Sequence, residues 1–127
     1  MTLLWVMAAG ALGSMLRLGV DRGIERSFHR STVAGIVVVN LVGSFVLGCA
    51  VGAFVHGLKT TPLSGMSPTT YVVLAAGFCG GFTTFSTAMA DTLRLLRMGR
   101  TGPALTHLLV TFAGAVVCCQ LGYAFFA

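Results

Sequence analysis

Residues 75–88 read Ala75-Ala76-Gly77-Phe78-Cys79-Gly80-Gly81-Phe82-Thr83-Thr84-Phe85-Ser86-Thr87-Ala88, and they lie in the middle of an apolar run from about Thr70 to Arg94. Three glycines and four hydroxyls in so short a stretch work against a continuous helix. Glycine lowers helix stability, and threonine and serine side chains offer backbone groups alternative partners. The spacing predicts a helix that breaks near Gly80 to Thr84 and leaves two half-helices. Irregular backbone at membrane depth is tolerated only where it is buried in protein or lines a polar cavity. Discontinuous helices also bring positive N-termini and free carbonyls to the bilayer centre, where transporters bind ions. Ion passage is therefore the functional reading to test, and a kinked, glycine-rich packing helix is the plain alternative.

The rest of the chain supports a membrane setting. Of its 127 residues, 56% are hydrophobic and only 9% are charged, whereas a soluble domain carries roughly a quarter charged residues. Around the quoted stretch stand three more apolar runs, near Thr2 to Val20, Thr32 to Val55 and Pro103 to Phe126. Each is close to the roughly 20 residues that cross a hydrocarbon core. The expected fold is an all-α membrane protein with four transmembrane helices in a single domain over residues 1–127, the third helix broken at its middle. No Lys or Arg precedes Arg17, so the first run is expected to be a retained span rather than a cleaved signal. Small residues recur every fourth position at Gly10 and Ser14, at Ser44, Gly48 and Gly52, and at Gly114, Cys118 and Gly122. Such stripes let helices approach closely in lipid.

Other function classes find little support. The net charge of +5 comes from arginines gathered between apolar runs, the usual place for membrane-flanking charge rather than for nucleic-acid contact. No Ser–His–Asp set, carboxylate pair or metal cluster is assembled, so an enzyme is not expected. Cys49, Cys79, Cys118 and Cys119 lie in apolar runs without CxxC spacing, and read as small buried residues.

At Gly77-Phe78-Cys79-Gly80-Gly81-Phe82-Thr83-Thr84-Phe85-Ser86-Thr87 the sequence resembles the third-helix signature of the Fluc (CrcB) fluoride channels. Gly13-Ser14-Met15-Leu16-Arg17 and Val39-Asn40-Leu41-Val42-Gly43-Ser44-Phe45 resemble that family's first- and second-helix elements. The resemblance covers essentially the whole chain. It implies an antiparallel dimer of four-helix subunits with two narrow pores, and a sodium ion at the dimer centre held by backbone carbonyls, here those of Gly80 and Thr83. It places Asn40 and Phe85 in the fluoride pore and Arg17 in a vestibule. The residues make sense in those roles. A small, strongly hydrated anion needs donors in place of its water, which Asn40, Ser86, Thr87 and Thr111 carry. Aromatic rims are electropositive, so Phe85 edge-on can face an anion. For Asn40, helix–helix bonding is the competing reading.

Several positions depart from the family pattern. Ala88 stands where the second pore phenylalanine belongs, Met89 where serine is common, and Ile36 where threonine follows Gly35. In the fourth helix His107 and Thr111 continue a polar track that Ala115 breaks. Two intact pores are not expected from two copies of this chain. Charge points the same way: with four spans, Arg22, Arg26, Arg30, Arg94, Arg97 and Arg100 share one side, and Lys59 lies on the other. Lys and Arg excess marks the cytoplasmic face, so both termini are expected outside, in a single orientation in the cell membrane. An antiparallel homodimer needs both orientations. The expectation is a fluoride-exporting channel subunit paired with an inverted homologous partner in a heterodimer.

Two rivals remain: a proton-coupled small-solute exporter, which needs a titratable acid deep in a span, and a non-conducting structural subunit. Asp91 is the single acid read within a span, and its spacing from Arg94 predicts an i,i+3 ion pair. His107 is expected to line the pore or to be a hydrogen-bonded structural residue. His29 and His56 fall at span ends, and Trp5 and Tyr71 read as interfacial anchors.

Overall fold

The computed structural model describes residues 1–28, 32–56 and 66–126, so His29, Arg30 and Lys59 lie outside the described residues. Its described elements are helices: α1 (Thr2–Phe28), α2 (Thr32–His56), α3 (Pro68–Val72), α4 (Phe85–Arg97) and α5 (Thr101–Ala124). α3 continues as a π-helix over Val73–Cys79 and a final turn at Gly80–Phe82 before α4 begins. The stretch Pro68–Arg97 counts as one span, and with the other three it gives four helices long and apolar enough to cross a membrane.

α1 runs well past Val20, where the apolar run ends, and carries Asp21, Arg22, Glu25 and Arg26 on its last turns. At about 1.5 Å per residue its 27 residues span about 40 Å, more than the hydrocarbon core. Arginine and glutamate are good helix formers whose long stems reach the interface, so polarity alone does not end the helix. α3 starts where the sequence supplies both signals for a start: the Ser67 side chain accepts from the Thr70 amide at 3.1 Å, and Pro68 takes the first helical position. Pro103 sits in the first turn of α5, where its missing N–H removes no helical bond.

Packing follows the small-residue stripes. A Cβ on Gly48 would strike the carbonyl of Cys119, and one on Gly122 that of Phe45, so α2 and α5 meet backbone to backbone. α1 meets the third span in the same way: a Cβ on Gly13 would run into the Phe78 carbonyl, and one on Gly81 into that of Gly10. Ser14 Oγ adds a hydrogen bond to the Gly81 carbonyl at 3.2 Å. The core between these pairs is small-sided, with Ile36, Val39, Ala50, Ala53, Cys79, Phe82 and Ala88 buried. The broken third span is thereby clamped between α1 and α2.

Candidate functional site

The break falls at Thr83 and Thr84. Both are extended, with φ/ψ of −81°/159° and −149°/115°, and Phe85 then opens α4. Each end of the gap is finished by a threonine. The amide and the hydroxyl of Thr83 both donate to the Cys79 carbonyl at 2.9 Å, closing the last turn of the upstream half. Thr84 Oγ1 accepts from the Thr87 amide at 3.3 Å and lies 3.0 Å from the Thr87 hydroxyl, capping α4. The backbone of Thr84, 8% exposed, is satisfied from α2: Asn40 Nδ2 donates to its carbonyl at 3.0 Å and its amide donates to Asn40 Oδ1 at 2.8 Å. One side-chain amide thus satisfies both backbone polar groups of a residue that the helix leaves bare. Because the Thr84 amide is turned to Asn40, the Gly80 carbonyl loses its helical partner. Gly80 itself is exposed, with nothing within 4 Å of a Cβ built on it.

Beside the break lies a cavity of about 280 Å³, lined by Asn40, Gly80, Thr83, Thr84, Phe85, Thr111 and Phe112, with Ala88 and Ala115 among its small-sided walls. Thr111 is 5% exposed and its Oγ1 has no hydrogen-bond partner. Such an orphan is costly in a buried setting, about 1–3 kcal/mol, and it makes the hydroxyl available to something in the cavity. Phe85 and Phe112 meet there edge to face, with ring centroids 5.6 Å apart and planes at 73°.

One turn before Thr111 on α5, His107 is 5% exposed. Its Nδ1 lies 2.9 Å from Thr92 Oγ1, which is also 2.9 Å from the Ala88 carbonyl, while Nε2 has no partner. Asp91 and Asp21 belong to the same end of the bundle. A Cβ on Gly35 would strike Asp21 Oδ1, so α1 and α2 approach closely there. The expected Asp91–Arg94 pair is not formed: Asp91 is 8% exposed with Oδ2 unpartnered, and Arg94 is exposed. The spacing was adequate, but α4 turns Asp91 toward the bundle and Arg94 away from it.

Of the residues singled out from the sequence, the cavity gathers Asn40, Phe85, Thr111, Gly80 and Thr83. Ser86 and Thr87 serve the α4 cap, with Ser86 Oγ 3.4 Å from Thr84 Oγ1, and neither lines the cavity. His107 lies one turn beyond it, and Arg17 is half-buried on α1. Thr92 and Phe112 were missed, and Thr84 was read as part of the break without its capping role. Thr84 could have been found as the N-cap a new half-helix requires, whereas Phe112 carries no local signal. Among the described residues no three His, Cys, Asp or Glu side chains come together as a metal site, and the cysteines are free thiols, with Cys79 buried.

The profile described as CrcB-like protein, Camphor Resistance (CrcB) matches residues 4–123. The chain belongs to the CrcB-like family. Relatives agree along nearly the whole length. The protein named fluoride-specific ion channel FluC of Serratia proteamaculans is 34% identical over 122 residues, 96% of this chain and 91% of its own. That of Gloeobacter violaceus is 37% identical over 119 residues, covering 93% and 90%. The FluC 2 protein of Cutibacterium acnes is 42% identical over 94 residues, 74% of this chain and 72% of the relative. These relatives are named as ion channels rather than enzymes, in keeping with a chain of four membrane-spanning helices.

Proposed function

We propose that this CrcB-like chain is a subunit of a fluoride-selective channel that lets fluoride leave the cell passively. The observation that carries the reading is the cavity at the break, where an orphaned buried hydroxyl, the Asn40 amide and two aromatic rings converge. Asn40 has one N–H left after bonding Thr84, and Thr111 has its whole hydroxyl. Two donors that carry no charge of their own suit an ion that must bind and still leave. The next polar groups toward the arginine-bearing end are His107 and Thr92, which continue the path along α4 and α5. Ser86 and Thr87 act through the α4 cap, and Arg17 attracts the anion electrostatically at that end.

The break also fits a sodium ion as a structural cofactor. The Gly80 carbonyl has lost its helical partner and the residue is exposed on the bundle surface. Carbonyls of Gly80 and Thr83, together with those of a second subunit, would supply the hard oxygens that such a cation takes. Its charge would hold the two broken helices together.

The partner in this proposal is an inverted homologous chain. Arg22, Arg26, Arg94, Arg97 and Arg100 lie at the end shared by the α1 and α4 C-termini and the α5 N-terminus. An excess of arginine at that end favours one orientation, with both termini outside. Relatives carrying the names FluC 1 and FluC 2 are consistent with paired genes. The buried Asp91 keeps an acid inside the span, which a proton-coupled exporter would require, yet Asp91 does not line the cavity. Reconstituting the chain in liposomes alone and with an inverted homologue tests the pairing by fluoride efflux. Efflux only from the mixture is expected; full efflux from the lone chain overturns the heterodimer.

A further inference from the structure

The cavity has two aromatic walls, and the sequence around the break accounts for only one. Phe85 is the first residue of α4, immediately after the extended link. Phe112 comes from α5 and directly follows Thr111, whose hydroxyl is buried without a partner. Both rings line the cavity, and the remaining large apolar side chain on its wall is Leu47. Ala88 and Ala115 contribute methyl groups only, so no further ring from α4 or α5 reaches the cavity.

The ring geometry is informative. At 5.6 Å and 73°, the rim of one ring points at the face of the other. The rim carries the positive part of the ring quadrupole and the face the negative part. An edge-to-face pair therefore fixes how each ring presents its rim to the space beside it. Phe85 follows two extended residues, whereas Phe112 is held mid-way along the unbroken α5, so Phe112 is the fixed member of the pair. Phe85 is 65% exposed and Phe112 43%, so neither ring is consumed by core packing.

Resting on the channel reading above, we infer that Phe112 is a specificity-determining residue of the anion path. Its ring sets the aromatic wall in cis, orients Phe85, and places an electropositive rim beside the Thr111 hydroxyl. A small bare anion then meets rim and hydroxyl together, while a larger anion, with its charge more diffuse, gains less from both.

The test is the ratio of fluoride to chloride permeability in liposomes holding the conducting assembly, for wild type, Phe112→Leu, Phe112→Tyr and Phe85→Leu. A permeability ratio does not change when only the amount of folded protein changes. Phe112→Leu is expected to lower the ratio roughly threefold to tenfold, the size of a lost aromatic contact, and Phe112→Tyr to restore most of it. Should Phe112→Leu not fold, judged by gel filtration, Phe112→Met replaces it and carries the same expectation. A wild-type ratio in the Phe112 variant alongside an altered one in Phe85→Leu overturns the inference and leaves the channel reading standing. Absence of fluoride permeability in the wild-type assembly overturns the channel reading itself.

Discussion

The Asn40 side chain brackets the backbone of Thr84, donating to its carbonyl at 3.0 Å and accepting from its amide at 2.8 Å across 44 residues of sequence. The bond pair makes the break a fixed structure rather than a loose kink. It also unites the two roles between which the sequence left Asn40 divided, because the amide that ties α2 to the third span is also on the cavity wall.

Asn40→Leu should therefore destabilise the fold as well as remove a pore donor. It leaves the N–H and C=O of Thr84 buried without partners, at about 1–3 kcal/mol for each. Asn40→Asp keeps only the accepting half and sets a carboxylate oxygen against the Thr84 carbonyl, so it should not rescue. Thermal unfolding of the purified protein in detergent measures both.

Thr111→Val separates function from stability. Since Thr111 Oγ1 is buried without a protein partner, the near-isosteric valine removes an unsatisfied hydroxyl and should stabilise the fold by up to about 1–3 kcal/mol rather than weaken it. Fluoride flux should fall roughly tenfold or more, the worth of one hydrogen bond to a charged group. Unchanged flux would remove Thr111 from the path.

The glycine contacts are expected to divide cleanly. Gly48→Val places side-chain atoms into the Cys119 backbone and should cost roughly 1–3 kcal/mol. Gly23 has nothing within 4 Å of a Cβ, so Gly23→Ala should be neutral or stabilise by up to about 1 kcal/mol through helix propensity. The comparison is read from unfolding curves of the two variants.

At the arginine-bearing end, Arg94→Gln should alter stability by no more than about 0.5 kcal/mol, because Arg94 is exposed and does not pair with Asp91. Thr92→Val removes the hydroxyl between His107 and the Ala88 carbonyl and should cost about 1 kcal/mol. A loss of about 1 kcal/mol or more in Arg94→Gln would show that Arg94 has a partner after all.

Much of this fold is legible in the residues themselves. Gly80, Gly81, Thr83 and Thr84 announce the break because their local preferences all oppose a helix there, and the small-residue stripes name the faces that pack. What is not legible depends on direction. Asp91 and Arg94 are one turn apart, yet which of them faces the bundle depends on the rotation of α4, which is set by its packing against α5. The π-helix over Val73–Cys79 has no composition of its own; it is a change of backbone hydrogen-bond register, in a segment that α1 approaches closely at Gly77. Phe112 looks like one apolar residue among many on α5 until the fold sets it against Phe85.

The central claim is that the interrupted third span gives a small anion a way through the bundle. Vesicles loaded with potassium fluoride or potassium chloride, and opened to potassium by an ionophore, test it with ion-selective electrodes. The account predicts that the protein, together with its inverted partner, releases fluoride and retains chloride. Fluoride held as tightly as in protein-free vesicles, with the chain alone and with the partner, would contradict it.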